Sequence, residues 1–583
     1  MTDISDMSNV LYIDLTEKTF EKVSRKDLYR KYLGGTGVAT ALFFEEFKDG
    51  MDPLDPRAPV VFSIGPLSAL FPSCSKVVSM FRSPLTNELG ESHAGGRLAL
   101  AMRFSGCDSI VIKGRAKKPV YISIHDDEVL FKDASSIWGL SSTTDVGKII
   151  REVEPGAGRR SIIRIGIAGE KLVKYSNVNV DTYRHFGRLG LGAVFGSKNL
   201  KAIVISGNKE IEVSDKKAYN LTFKQIYEEI VKTDQMHKYH DLGTTENILP
   251  LNEIKGLPTK NFQHSSFEFS ESISGELFAE KYLIKRVSCA VCPIGCVHIA
   301  MLKKRFSRLH EYEIKNISYD YEPVYSMGTI LGVQSPEGIL ELIDKCEMYG
   351  LDVISTGVVL AWATEMFQLD RIPESEKGGL NLRWSDVDSY LQAIDLIVGG
   401  TTDFYSAMGK GINYAAKEYG GEDFAMQIGG LEVAGYHTGP ANIAGLAVGV
   451  RHSHLDNAGY SIDQKSLKKR LGEEDIADLL IYEDNIRSIF NSLTICLFAR
   501  SVYSPDTIKA ALGSLGIHAD EETLNSLGND IVMKKYELKK RMGFDLKDLR
   551  FPERFFETVS STGTVNRDSV EQIIRIYCLK RGI

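Results

Sequence analysis

Three cysteines fall within eight positions of "VSCAVCPIGCVH", residues 287–298, and they constrain this chain more than any other feature. Cys289, Cys292 and Cys296 present three thiolates from one tight loop, and Pro293 and Gly295 let that loop fold back around a metal centre. Four thiolates hold either zinc or an iron–sulfur cube. Zinc ligands usually come in pairs, so the three-plus-one pattern points to a cube whose last ligand is remote. The remote candidates are Cys346 in "DKCEMYG" and Cys496 in "NSLTICLFAR"; Cys74, Cys107 and Cys578 fall in or beside strands or in the tail. His298 is close enough to serve as a ligand but reads as an ordinary polar residue. Three buried thiols without metal is the bland alternative, and packing alone rarely produces such dense spacing.

The 583 residues exceed what one core can bury, so two to four domains are expected. A hydrophobic share of 43% and a charged share of 25% are ordinary for a globular protein. The net charge of −7 gives no nucleic-acid footprint. An acidic redox partner would need a local basic patch, which net charge neither shows nor excludes. The N-terminus lacks a basic then apolar leader, so a cytoplasmic protein is expected. The longest apolar runs, such as "VISTGVVLAWATEMF" (353–367) with Glu365, fall short of a membrane span and read as buried helices. The eight cysteines do not form a secreted disulfide framework.

The first 210 residues read as mostly β. "NVLYIDLTEKTFEKVS" predicts a hairpin, and "APVVFSIGPL", "DSIVIKGRA", "PVYISIH" and "KAIVISGN" predict short strands, interrupted by helices such as "TDVGKIIREVE". Beyond 210 apolar residues recur at helical spacing, often closed by Gly. The expected class is α+β: a β-rich domain over 1–210, then mainly helical domains over 211–418 and 419–583.

Arg188, Gly190, Gly192 and Gly196 in "RLGLGAVFGSKNLKAIVISG" let backbone N–H groups approach an anion, with tight strand packing as the bland reading. The spacing is wrong for a dinucleotide fingerprint, and a strand is expected to follow. "SPLTNELGESHAGGR" offers a second such loop with His93, Gly95, Gly96 and Arg97, while Lys76 and Arg82 could add charge. Two phosphate-friendly loops favour a phosphate-bearing cofactor. Glu322, between Tyr321 and Tyr325, is a proton-transfer candidate whose apolar setting predicts a raised pKa. Arg451, His452, His454, Asp456 and Asn457 form a dense polar cluster fit for metal or substrate. His240 and His264 read as isolated polar residues.

Taken together, these motifs resemble the tungsten-dependent aldehyde:ferredoxin oxidoreductases nearly end to end. "YLGGTGVATALFFEE", "SPLTNELGESHAGG", "RLGLGAVFGSKNLKAI", "GLPTKNFQ", "YEP", "YGLDVISTG" and "GEDFAMQIGGLE" carry the likeness. The resemblance implies a β base domain carrying two pyranopterin dithiolenes that bind one tungsten, or molybdenum, with a magnesium ion shared by their phosphates. It also implies a nearby [4Fe–4S] cube held by Cys289, Cys292, Cys296 and Cys496, which passes electrons to ferredoxin or an iron–sulfur subunit. Two pterin-gripping motifs would be Glu347-x-x-Gly350-Leu351-Asp352 and Asn491-x-x-Thr494-Ile495-Cys496, with Glu and Asn where the family has Asp. Lys76 stands for the usual phosphate-binding Arg and His93 for Asn. Glu322 matches the presumed proton acceptor. Glu341-x-x-Asp344 replaces the Glu-x-x-His that holds an interfacial iron in some members, which puts that metal in doubt.

Where aldehyde oxidisers place a catalytic His in an Arg-Gly-Ala-Cys-His-like context, a gapless match gives Asn457, with His454 and His452 one turn away. The expected activity is oxidation of a small aldehyde by a homodimer or by a subunit of a redox complex. One alternative is the active-site subunit of a benzoyl-CoA reductase-type complex acting on an aromatic acyl substrate. Another is a non-catalytic protein that keeps the cube but has lost the pterin. Neither nucleic acid nor membrane is an expected partner.

Overall fold

The computed structural model describes residues 7–306 and 311–583; the first six residues, part of the segment read as leaderless, lie outside the described residues. Strands β1 (Asn9–Asp14) and β2 (Thr19–Ser24) pair antiparallel as the sequence predicts, turning through Lys18 at φ 55°. They edge a six-stranded sheet of order β2-β1-β6-β3-β4-β5, completed by β3 (Val60–Ser63), β4 (Val77–Arg82), β5 (Leu89–Ala94) and β6 (Ser109–Lys113). A second six-stranded sheet has the order β11-β10-β9-β12-β7-β8. Its strands are β7 (Val120–His125), β8 (Glu128–Asp133), β9 (Ser161–Arg164), β10 (Val178–Val180), β11 (Arg184–Phe186) and β12 (Leu200–Ser206). β3, β4 and β12 are buried along their whole length, which suits their β-branched and aromatic content.

Two helices of this half matter below. α1 (Gly35–Glu46) packs on β3 and β4. α2 (Leu191–Ser197) is a short helix inside the glycine run itself, and β12 follows it after the Lys-rich turn, where the strand was expected. Gly190, in the left-handed region at φ 84°, starts it, and Gly192 and Gly196 lie against the backbone of Asn177 and Gly169. Close packing against those segments, not intrinsic propensity, holds this Gly-rich turn helical.

The remaining chain is mainly helical, but the expectation misses a three-stranded antiparallel sheet. It comprises β13 (Leu283–Val287), β14 (Val297–Arg305) and β15 (Tyr312–Tyr319). The cysteine loop is the connection between β13 and β14. α3 (Tyr321–Met327) follows β15 directly. α4 (Pro336–Tyr349) begins on a Ser335 cap with Pro at its first turn and ends at Gly350, left-handed at φ 75°. One residue later Asp352 caps α5 (Val353–Gln368) by accepting from Ile354 N–H. α5 is buried almost all round, as its apolar run predicts, and among the described residues no helix is long and apolar enough to cross a membrane. Near the C-terminus α6 (Glu473–Leu493) packs against α7 (Glu521–Arg541) and α1. One continuous apolar core runs from Met7 to Tyr577, so the three stretches of chain share buried surface.

Candidate metal and cofactor centre

Backbone hydrogen bonds bring three remote segments to the cysteine loop, the last of them through Ser73. Ala290 N–H donates to Gly96 O, Ser73 N–H to Val291 O, and Cys496 N–H to Ser73 O, each at 2.9 Å. Ser73 Oγ lies 3.3 Å from Cys292 Sγ. A Cβ added to Gly95 would meet Cys289 Sγ at 2.8 Å, so glycine is what lets β5 end against the loop. The thiols of Cys289, Cys292 and Cys296 are largely buried, and Cys292 and Cys296 both feel the charges of Cys289 and Cys496. Burial pushes Cys292 up to about 12 and Cys296 up to about 11, and Cys496 adds repulsion in both cases. Cys289 is held below the usual thiol value, because Arg184 and Lys76 outweigh its burial. Thiols pressed together this way ionise readily only when a cationic centre replaces their protons.

Among the described residues no three His, Cys, Asp or Glu side chains converge on a point fit for a single metal ion. Cys292 and Cys296 nonetheless feel the charges of Cys289 and Cys496, which places the four thiols in one neighbourhood without the geometry of a single-ion site. Cys346 is not among them: it is buried in α4, with Thr356 beside its thiol. Sequence reading missed two neighbours. Cys74 lies close enough to Cys292 and Cys496 to feel both charges and donates to Tyr503 Oη at 3.2 Å. His240 bonds Ile294 O through Nδ1 at 2.9 Å and so braces the loop from behind. His298 is spent on His240 O at 2.9 Å, in keeping with its reading as an ordinary polar residue.

The first gripping motif is the link between α4 and α5. Asn177 Nδ2 donates to Leu351 O at 2.7 Å, and Asn177 N–H to Gly350 O at 2.8 Å. Arg188 donates to Asp352 Oδ2 at 3.0 Å and to Glu432 O at 2.6 Å, and His185 pairs with Glu347 at 2.7 Å. Asn177 Oδ1, Asn179 Oδ1 and Arg184 Nε are buried with no partner. Unspent acceptors beside this motif, and an unspent guanidinium N–H beside the thiols, fit a bound group with ring N–H donors and negative charge. Gly192 N–H is not available to such a group, since it donates to Ser176 O at 3.0 Å. Gly190 is likewise packed against Lys174 O. Both glycines therefore pack on the 174–177 turn, and Gly192, its N–H already bonded, departs from its reading as part of an anion loop.

The stretch expected as the second motif, Asn491 to Cys496, runs from the end of α6. Gly35 and Gly65 lie against the backbone of Asn491 and Ser492, and Ser68 Oγ is 2.7 Å from Thr494 Oγ1. Thr494 takes the left-handed conformation at φ 62°, a costly choice for a β-branched residue where glycine would be at ease. Lys76 stands beside Gly95 and Cys289. His93 bonds Glu91 at 2.6 Å, and Glu91, buried, also meets Lys535 at 2.5 Å. Despite burial, Lys535 and His93 hold that carboxyl well below its usual range. His93 is thereby a neutral-leaning member of a buried ion network, its own pKa lowered by burial.

Glu322, in the first turn of α3, accepts from Tyr436 Oη at 3.1 Å and lies 3.3 Å from His454 Nε2. Burial raises its pKa, but the His454 bond, the His454 charge and Tyr436 lower it more, so the net shift is downward, against the sequence expectation. Asp320, two residues earlier, was missed. Burial and the Glu322 charge push it up to about 7, with Arg184 and His185 nearby. The two acids of one turn thus hold their protons differently. His452 does not join Glu322: its Nδ1 meets Leu446 O at 2.9 Å, and its Nε2 meets Glu88 at 3.1 Å and Lys539 at 3.0 Å. Asn457 is buried and donates to Gly445 O at 3.0 Å. Of the polar cluster, only His454 reaches the acid.

Glu341 and Asp344 each pair with a lysine of the hairpin, Lys304 at 2.7 Å and Lys315 at 2.6 Å. Their carboxylates are already matched, so the pair offers no ready interfacial metal site.

Sequence models of two regions match this chain: "Aldehyde ferredoxin oxidoreductase, N-terminal domain" over residues 10–207 and "Aldehyde ferredoxin oxidoreductase, domains 2 & 3" over 222–582. A tungsten-containing aldehyde ferredoxin oxidoreductase of Pyrococcus furiosus is 30% identical over 573 residues, 95% of this chain and 92% of that protein. An aliphatic sulfonate oxidoreductase WOR-like subunit of the same organism is 27% identical over 602 residues, 97% of this chain and 93% of that protein. Among solved structures, the active site complex BamBC of benzoyl coenzyme A reductase with 1,5-dienoyl-CoA matches with a TM-score of 0.80 at 19% identity. The match covers 99% of this chain and 94% of that one, and it bears on the fold alone.

Proposed function

Because the chain belongs to the aldehyde ferredoxin oxidoreductase family, we propose that it oxidises an aldehyde to a carboxylic acid and passes the electrons singly to ferredoxin. In this reading Cys289, Cys292, Cys296 and Cys496 hold a [4Fe–4S] cube. Glu347 to Asp352 and Asn491 to Cys496 grip the two pterins of a tungsten, or molybdenum, centre. When bound, that centre supplies the two-electron redox step, and the cube releases the electrons one at a time. The chain's own contribution is acid–base chemistry and water exclusion.

The observation that carries the reading is Glu322 held ionised between His454 and Tyr436. A carboxylate kept below its usual pKa is ready as a base at neutral pH, and it can take the proton that water loses on attacking a carbonyl carbon. His454 and Tyr436 fix the Oε1 atom, so the other oxygen is the one free for that proton. Tyr436 stacks on Tyr460 and meets Tyr321 at a tilt, and these rings beside the acid limit water around it.

The ring-reductase alternative drew its motive from the missing His at 457, and His454 beside Glu322 supports the aldehyde reading instead. Purified anaerobically, the protein should contain one tungsten or molybdenum and about four irons per chain and should reduce a viologen dye with an aldehyde. Full metal content with no activity across a broad aldehyde panel would overturn the reaction. Iron without pterin would favour the non-catalytic alternative.

A further inference from the structure

The chain is acidic, with a net charge of −7, yet the strands leading into and out of the cysteine loop are basic. Between Lys281 and Phe306 there are six cations, Lys281, Lys285, Arg286, Lys303, Lys304 and Arg305, and no Asp or Glu. All six are exposed. The rest of the surface is correspondingly more negative.

Register sorts these side chains by face, since paired residues in antiparallel strands point the same way. Met301 pairs with Asn316, Lys303 with Ile314 and Arg305 with Tyr312. On the other side Lys285 pairs with Ile299, in the same alternation. One face of the sheet therefore gathers Lys285, Lys303 and Arg305 with Met301, Tyr312 and Ile314, and no strand residue on it is a carboxylate. Glu313 and Lys304 share the opposite face, where Lys304 meets Glu341. Toward the hairpin tip the apolar members of this face are left in solvent, Met301 at 40%, Tyr312 at 41% and Ile314 at 61%, whereas Ile299, beside Lys285, is buried. Lys303 Nζ stands 4.2 Å over the Tyr312 ring, which preorganises both groups. Exposed apolar surface rimmed by one sign of charge is what a transient docking face presents.

We propose that this outer face of β13–β14–β15 docks a small acidic one-electron carrier of the ferredoxin kind. The proposal rests on the reading that electrons leave through the cysteine loop. Lys285 is four residues from Cys289, about 13 Å along a strand, so a carrier seated here abuts the loop. Its carboxylates would find cations here, whereas the remaining surface repels them. A second copy of this chain is the poorer occupant, because a twofold contact would set Lys303 and Arg305 against like charges.

The test uses anaerobically purified holoenzyme and a purified acidic [4Fe–4S] ferredoxin. Binding is measured by calorimetry at low and high salt, for the native chain and for K285E/K303E. Native binding should weaken steeply with salt, and the double reversal should weaken it at least about 10-fold at low salt. Ile314→Ser, which leaves the charge intact, should weaken it several-fold. Iron content and viologen-linked activity should remain at native levels in both variants. Native-strength binding by both variants, salt-independent binding, or no binding by the native enzyme would overturn the proposal. So would a native dimer that K285E/K303E converts to monomer in sedimentation, since the face would then be a self-contact. If the native enzyme oxidised no aldehyde with viologen, the reaction assigned above would fail, and the binding comparison would still judge the docking face.

Discussion

Replacing His454 with Leu should shift the acidic limb of the enzyme's pH profile upward. Glu322 works as a base only when ionised, so activity falls as pH drops through its pKa. In the native chain that pKa lies below the ordinary carboxyl value, because the donors His454 and Tyr436 outweigh burial. Removing the His454 donor at 3.3 Å deletes a charge-assisted contact of about 1.5–3 kcal/mol. At about 1.4 kcal/mol per unit, that corresponds to a rise of roughly 1–2 pK units, with burial then unopposed except by Tyr436. Tyr436→Phe removes a neutral donor and should move the limb by about half as much. The assay is kcat/KM for dye-linked aldehyde oxidation from pH 5 to pH 9. A uniform loss at every pH, with the acidic limb where it was, would refute the base role of Glu322 and the tuning role of His454 together.

Cys496→Ala should strip iron and the cube's paramagnetic signal from the purified protein, whereas Cys346→Ala, buried in α4, should keep both; equal loss would mean the fourth ligand is misassigned. Lys535→Met leaves the buried Glu91 carboxylate its His93 contact but takes away its nearest cation, and should cost about 3–5 kcal/mol, read as a lowered urea midpoint; a change under about 1 kcal/mol would show that the network carries little. Asp320 binds its proton more tightly folded than unfolded, because burial raises it to about 7. Its contribution to stability is therefore complete at low pH and is lost as pH climbs from about 4 to 7, by at most about 4 kcal/mol. Asp320→Asn should flatten that slope in thermal unfolding measured across the same range; parallel slopes would refute the shift.

The parts of the centre that depend on local spacing were legible in the chain. The cysteine loop and the Gly350–Asp352 link are short motifs whose geometry is set within a turn or two. What escaped reading depends on residues far apart. The downward shift of Glu322 comes from Tyr436, 114 residues away, and from His454, so the apolar neighbours of Glu322 in sequence gave the wrong sign. His452 and His454 looked equivalent, but His452 sits left-handed at φ 56° and Ser453 caps the next turn, so the two rings leave in different directions. The sheet around the loop was obscured by its charges, since "VHIAMLKKR" alternates cleanly only once its outer face is known to be basic. Cys74 belongs to no motif, and only the fold brings it beside Cys292 and Cys496.

The close fit of Gly35 and Gly65 against the backbone of Asn491, Ser492 and Leu493 ties the β-rich N-terminal part of the fold to the end of α6. During synthesis that joint cannot form until the segment carrying Asn491 and Ser492 has left the ribosome. The N-terminal sheets precede that segment, so α1 keeps an uncovered side until α6 arrives. In the proposed reading, a cofactor gripped by both motifs is fully held no earlier than that closing of α6 onto α1.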